Sequence, residues 1–268
     1  MSVKVTILGD TRFQNHFGCD MVMSVLFNEL KRIDFQIIKI VHVSKRNYTI
    51  PVETDLIIIN GEGTIHHGAG QHLLSVVDNY PEIPAVLINA VWQDNPVYHN
   101  LDKLKYVSVR ESLSYNQLPE CITNKEVIPD LIYLSSITNH KSNHDHIEDI
   151  GITDNVLNNC RFDISSRASP EVVVKKFNKY KRICTGRHHG VALAAILGKP
   201  FSAWPSNTHK ILGMMIDMNI PQHHYTNQND AIENVPHVLD KNVTTYIESA
   251  KIKITNMFDK LKSGILLT

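Results

Sequence analysis

"YKRICTGRHHGVALAAILGKPFSAW", residues 180–204, reads as a short strand, a tight turn, a helix and a second strand. Val191, Leu193, Ala194, Ile196 and Leu197 have the apolar spacing of a buried helix, and "PFSAW" returns to a strand pattern. Arg187, His188, His189 and Gly190 stand at the mouth of this greasy segment. Backbone N–H groups at a helix start carry the positive end of the helix dipole. Arginine and histidine placed there make a seat for phosphate or carboxylate.

The same alternation runs outward in both directions. Val3–Leu8, residues 35–43, 55–60 and 85–92 read as strands, residues 18–32 and Gln71–Asn79 as helices, and short strands at 106–110 and 126–130 flank a helix-like Ser112–Leu118. Apolar strands separated by helices belong to a parallel sheet covered on both faces. After a polar, His-rich linker at 139–148 the pattern resumes with "IGITDNVL", a helix over residues 169–180 capped by Ser169 with Pro170 at its first position, the opening stretch, and a helix over Asn207–Met218. Val243–Lys262 is an amphipathic helix with Tyr246, Ile247, Ala250, Ile254, Met257, Phe258 and Leu261 on one side. The expected fold is α/β, with Rossmann-like domains at 1–138 and 149–268 and an amphipathic helix closing the second.

Composition excludes several classes. Of 268 residues, 43% are hydrophobic and 20% charged, an ordinary globular balance. Lys plus Arg equal Asp plus Glu at 27 each, so no global basic field argues for non-specific nucleic-acid binding, and nucleic acid is not a favoured partner. The N-terminus lacks the pattern of a signal peptide and no apolar run is long enough to span a bilayer, which implies a soluble, cytoplasmic protein. Cys19, Cys121, Cys160 and Cys184 are widely spaced and read as reduced thiols.

Candidate chemistry gathers where strands run into helices. Arg12, Asn15, His16 and Gly18 follow the first strand. Gly61, Glu62, Gly63, Thr64, His66 and His67 follow the strand at 55–60, and the glycines permit positive φ and close approach of a ligand. Arg110 ends a strand beside Glu111, where an ordinary surface ion pair is the bland reading; Asp130 ends another, where it caps the next element or meets an acceptor hydroxyl. The doublets His66-His67, His188-His189 and His223-His224 rarely give one metal two ligands, because adjacent side chains point apart. His140, His144 and His146 have chelating spacing but read as a solvated loop. With no Asp-x-Asp pair, a metal-independent mechanism without a cofactor is expected.

In their order, "NGEGT", "VSVRES", "VIPD" and "RICTGRHHGVALAAILGKPF" resemble the polysaccharide pyruvyl transferase family. The last is the most specific, similar to that family's Arg-x-His-Gly, small-residue helix and Gly-x-Pro. The resemblance implies two Rossmann-like domains facing a cleft in the glycosyltransferase B arrangement, with phosphoenolpyruvate as donor and a sugar hydroxyl as acceptor. Arg187 and His189 would then hold the donor phosphate with Gly190 for close approach, and Arg110 a carboxylate or phosphate of the donor. His188 stands where the family has an apolar residue, and Gly-Glu-Gly replaces its more usual Gly-Gly-Gly.

Within that class, Glu62, His16, His66 and His67 are the candidate acids and bases. Acceptor contacts fall to Asn15, Gly61, Gly63, Thr64 and Asp130. A nucleotide sugar is the rival donor. Its base would use Trp204, Ser206, Asn207 and Thr208, and its acceptor would be a glycan, a small metabolite or a hydroxylated nucleic-acid base. From another class, a sugar- or nucleotide-binding module without turnover would show the same anion seat.

Overall fold

The computed structural model describes residues 2–264 apart from 13–15, 64, 97, 99, 140–147, 157–163 and 165–166. Contacts divide the chain into two compact units. Met1–Arg12, Met23–Asp130 and Ile252–Thr268 form the first, and Phe13–Val22 with Leu131–Lys251 the second.

The first unit is built on β1 (Val3–Asp10), β2 (Phe35–His42), β3 (Leu56–Asn60), β4 (Ala85–Ala90), β5 (Leu104–Val109) and β6 (Lys125–Val127). They pair in the order β2-β1-β3-β4-β5-β6, every pair parallel. Every residue of β3 and β4 is buried, which is why these strands read apolar without alternation. The chain passes from β1 to β2 on one side and returns to β3 on the other. Open α/β sheets bind ligands in the crevice beyond the carboxyl ends of the strands at such a reversal.

α1 (Phe17–Arg32), α2 (Gln71–Leu74), α3 (Val76–Asn79) and α4 (Ser112–Gln117) connect these strands. The single helix expected over Gln71–Asn79 is two short ones that meet at Ser75. The His72 carbonyl there accepts from the Ser75 hydroxyl at 3.2 Å and the Tyr48 hydroxyl at 2.9 Å, and this competes with a continuous helix.

In the second unit β7 (Glu148–Asn155), β8 (Tyr180–Gly186) and β9 (Phe201–Ala203) form a parallel sheet in the order β7-β8-β9. α5 (Pro170–Asn178), α6 (His188–Ile196), α7 (Lys210–Asp217) and α8 (Gln228–Glu233) accompany it. All nine residues of α6 are buried, so it is apolar on every face. Pro170 opens α5 as read in the sequence. Ser169 sits at the cap position, but its side chain makes no capping hydrogen bond to a helix N–H.

Finally, α9 (Lys241–Lys262) buries Val243, Ala250, Ile254, Met257, Phe258 and Leu261. Through Lys251 it groups with the second unit, and from Ile252 with the first. Assigning the whole tail to the second half therefore differs from the contacts, and so does assigning all of α1 to the first, because Phe17–Val22 group with the second unit. The reason is local: beyond Lys251 the helix is held by first-unit residues. Asp259 pairs with Arg32 at 2.8 Å, Lys260 pairs with Glu126 at 2.6 Å, and Met257 lies 3.6 Å from the Ser108 hydroxyl.

No described helix is long and apolar enough to cross a membrane. Cys19, Cys121 and Cys184 form no disulfide; Cys160 and the linker histidines His140, His144 and His146 lie outside the described residues.

Candidate functional site

In the second unit β8 ends at Gly186, where a Cβ would come within 2.6 Å of the Trp204 ring. Arg187, extended at φ −113° and ψ 131°, then turns the chain into α6. Its guanidinium, only 13% exposed, pairs with Asp154 of β7 at 2.8 Å. His188 and His189 follow, both buried, with ring centroids 5.3 Å apart. His16, just ahead of α1, places its ring 5.3 Å from that of His189 and stacks on Phe17. The close approach depends on Gly18, since a Cβ there would fall 2.0 Å from His189 Nδ1. Lys210, at the start of α7, is buried and donates from Nζ to the Asn207 side-chain oxygen at 2.6 Å.

The Gly18 backbone N–H donates to His16 Nδ1 at 3.1 Å, so the neutral His16 ring carries its proton on Nε2. Burial pushes the His16 pKa well below the usual histidine value, and His189, Arg187, Lys210 and His188 push it the same way. These neighbours penalise a further positive charge. An anion placed among them would relieve that penalty.

Other expected donor contacts fall differently. Gly190 has a packing role: a Cβ there would lie 2.2 Å from the Thr185 hydroxyl of β8, so its missing side chain makes room for the strand. His188 does not point away from its neighbour, as the rule for adjacent side chains suggested; it is buried with its ring against that of His189. Thr208 is buried and its hydroxyl accepts from the Lys210 N–H at 3.4 Å. Trp204 packs with Cys184, Ala231 and Val235, so the aromatic wall expected for a nucleobase is core.

The first unit places its own candidates on two strand ends. Arg110 and Asp130 pair at 2.5 Å with each side chain 1% exposed, which replaces the surface ion pair read from the Arg110-Glu111 sequence. Glu111 caps α4, accepting from the Ser114 N–H at 2.9 Å. After β3, Glu62 is buried and accepts from the Thr11 hydroxyl. Glu62 itself takes the positive φ of 27° in this loop, whereas Gly61 has no left-handed backbone and clears space for Ala90, which a Cβ would meet at 2.5 Å. Gly63 lines a hollow with His66.

His66 and His67 meet Nδ1 to Nδ1 at 2.8 Å, and His67 Nε2 lies 3.4 Å from Asp94. The positive φ of 51° at His67 breaks the alternation that would have separated the two rings. Asn15 and Thr64 lie outside the described residues.

Residues 16–203 match the family model described as polysaccharide pyruvyl transferase. The chain belongs to that family. The matched span runs from His16 through the glycine loop, Arg110 and Asp130 to Arg187, α6 and β9. As a member of the pyruvyl transferase family the chain is a transferase enzyme.

A functionally uncharacterised protein from Klebsiella pneumoniae subsp. pneumoniae NTUH-K2044 has a similar solved structure, with TM-score 0.58, 16% identity, and cover of 84% of this chain and 94% of that one. UDP-GlcNAc 2-epimerase from Methanocaldococcus jannaschii aligns at TM-score 0.44 and 10% identity over 96% of this chain and 100% of its own. No curated protein is similar enough in sequence to count as a relative.

Two residues of the α6 cluster escaped the sequence reading. Asp154 sits inside a strand pattern, and Lys210 opens an apolar helix where a lysine reads as an exposed first-turn residue. The one available signal was the position of Lys210 just ahead of "ILGMM".

Proposed function

We infer that this pyruvyl transferase family member moves the pyruvyl group of phosphoenolpyruvate onto hydroxyls of a polysaccharide, with the second unit as donor side and the first as acceptor side. The observation that carries the reading is the gathering of His16, Arg187, His189 and Lys210 at the head of α6, where the His16 and His189 rings lie 5.3 Å apart and burial first, these neighbours second, hold the His16 pKa down. Phosphoenolpyruvate is small and carries its charge on one phosphate and one carboxylate, and a compact group of guanidinium, ammonium and imidazole donors suits both.

In the reaction two acceptor hydroxyls add to the enol carbon and release two protons, one balancing the proton that the terminal methylene takes and the other leaving with the departing phosphate. Arg187 and His189 stabilise the charge that builds on the departing phosphate. His16 supplies the proton, because an adjacent dianion raises its pKa and loads the ring when the donor binds. No step calls for a metal ion. A nucleotide sugar is the weaker reading, since Trp204 is buried in the core of its unit.

Calorimetric titration with phosphoenolpyruvate tests the assignment. Arg187→Ala and His189→Ala are each expected to weaken binding about 10- to 150-fold, the range of one charge-assisted hydrogen bond at about 1.5–3 kcal/mol. Phosphate release with an acceptor glycan is expected to survive EDTA. Tighter binding of a nucleotide sugar than of phosphoenolpyruvate by the wild-type protein would sink the reading.

A further inference from the structure

Two adjoining hollows lie entirely within the first unit and, apart from Gly63 and His66 of the glycine loop, are lined by residues outside the clusters above. The larger, about 990 Å³, is walled by the end of β2 and the following loop, with Lys39, His42, Lys45, Arg46 and Tyr48 among its residues. The smaller, about 650 Å³, continues past Arg46, His72 and Ser75, which line both, to Gly63 and His66 of the glycine loop. The larger volume stands at the top of the range for small-molecule sites, about 300–1,000 Å³. Both hollows follow the carboxyl ends of β2 and β3, on either side of the strand reversal at β1.

Their chemistry is one-sided. Among the described residues no aspartate or glutamate lines either hollow, while lysine, arginine and histidine side chains do. Lys45 and Arg46 are exposed. A local excess of positive charge on a chain whose charges balance at 27 each is a feature of this groove and not of the whole surface.

The remaining walls suit sugar rings. Tyr48 and Tyr80 are fixed, the first donating to the His72 carbonyl at 2.9 Å and the second accepting from the Ile50 N–H at 3.1 Å. Asn47, Thr49, Ser75 and Asn79 add hydrogen-bonding groups. Fixed aromatic faces beside amides and hydroxyls match the alternating apolar and polar faces of a glycan.

We propose that this groove binds the acceptor and that the acceptor is an anionic glycan, its phosphate or carboxylate groups meeting Lys45 and Arg46 and its rings lying against Tyr48. The proposal rests on the acceptor-side reading of the first unit. A nucleic acid would use the same cations, but the hydroxyl and amide walls and the neutral overall charge favour a carbohydrate.

Binding of short oligogalacturonate, short poly(glycerol phosphate) and a neutral dextran oligomer to the full chain tests it, with an oligothymidylate as comparison. At least one anionic glycan is expected to bind well above dextran, and whichever binds tighter identifies carboxylate or phosphate as the recognised group. Lys45→Glu combined with Arg46→Glu is expected to reduce that binding about tenfold or more, and the Arg46→Lys variant to retain it. Phosphoenolpyruvate titrated into the same double variant is expected to bind as it does to wild type. That measurement separates the two readings: a wild-type protein that ignores phosphoenolpyruvate fails the donor assignment while the glycan titrations still decide the groove. Dextran binding equal to the anionic glycans, unchanged affinity in the double variant, or oligothymidylate binding as tightly as the glycans each overturns the proposal.

Discussion

At His16 a proton on the ring is opposed first by burial and then by repulsion from His189 and Arg187, and at the nitrogen facing the Gly18 N–H it also costs that hydrogen bond. The folded pKa lies below the unfolded value of about 6.5, so the unfolded chain takes up protons first as pH falls. The His16 contribution is therefore complete above pH ~6.5 and is lost as pH falls toward the lowered folded value. Melting temperatures measured from neutral pH downward are expected to fall less steeply in His16→Asn than in wild type. Bound phosphoenolpyruvate is expected to raise the same pKa, so binding should take up protons, a quantity read by calorimetry in two buffers of different ionisation enthalpy. An equal pH slope in the variant would remove His16 from the cluster. At Arg110, replacement of its partner by Asp130→Asn leaves a buried guanidinium without its carboxylate and is expected to cost about 3–5 kcal/mol in denaturant unfolding. Arg187 and His189 were legible in the sequence because polar groups at the head of an apolar helix are conspicuous. The burial of Arg110 was not, because its partner stands 20 residues away and spacing along the chain carries no distance.

The head of α6 owes its geometry to two glycines whose roles differ. Gly18 admits the His189 ring, and Gly190 admits the Thr185 hydroxyl. Gly190→Ala sets a Cβ against the strand that α6 packs on and is expected to destabilise the fold by about 1–3 kcal/mol, as overpacking does. Gly18→Ala is expected to act on the ligand as well, displacing the His189 ring and weakening phosphoenolpyruvate about as much as His189→Ala. A calorimetric titration and a thermal melt of each variant compare the two; undiminished donor affinity in Gly18→Ala would show that the His189 position is not what the donor senses. At this scale the strands and long helices were readable, because period and apolar runs come from local backbone geometry. The break at Ser75 was not, since it depends on the Tyr48 hydroxyl reaching the His72 carbonyl from 24 positions away. The positive φ at Glu62 and His67 was equally hidden, for glycines stood beside the first and drew the assignment to themselves.

Across the whole chain, the two α/β halves were visible as two runs of alternating elements, while the grouping of contacts was not, because α1 and α9 each contribute residues to both units. Ile254, Met257, Phe258 and Leu261 are buried in the part of α9 that groups with the first unit. At about 1.5–3 kcal/mol for each of these four side chains, a stop after Lys251 removes on the order of 6–12 kcal/mol, comparable with the whole net stability of a domain. Amide exchange of β5 and β6 is expected to speed up markedly in that truncation; unchanged protection there would show that the helix adds nothing to the sheet. The same discontinuity has a consequence for biosynthesis. A ribosome delivers the chain from its N-terminal end, so β1 through β6 emerge long before the helix that covers Ser108 and pairs with Arg32 and Glu126. Until Leu261 has left the exit tunnel that flank of the sheet stays open, and its apolar residues are exposed to chaperones and to neighbouring nascent chains for the whole time that the second unit is being made.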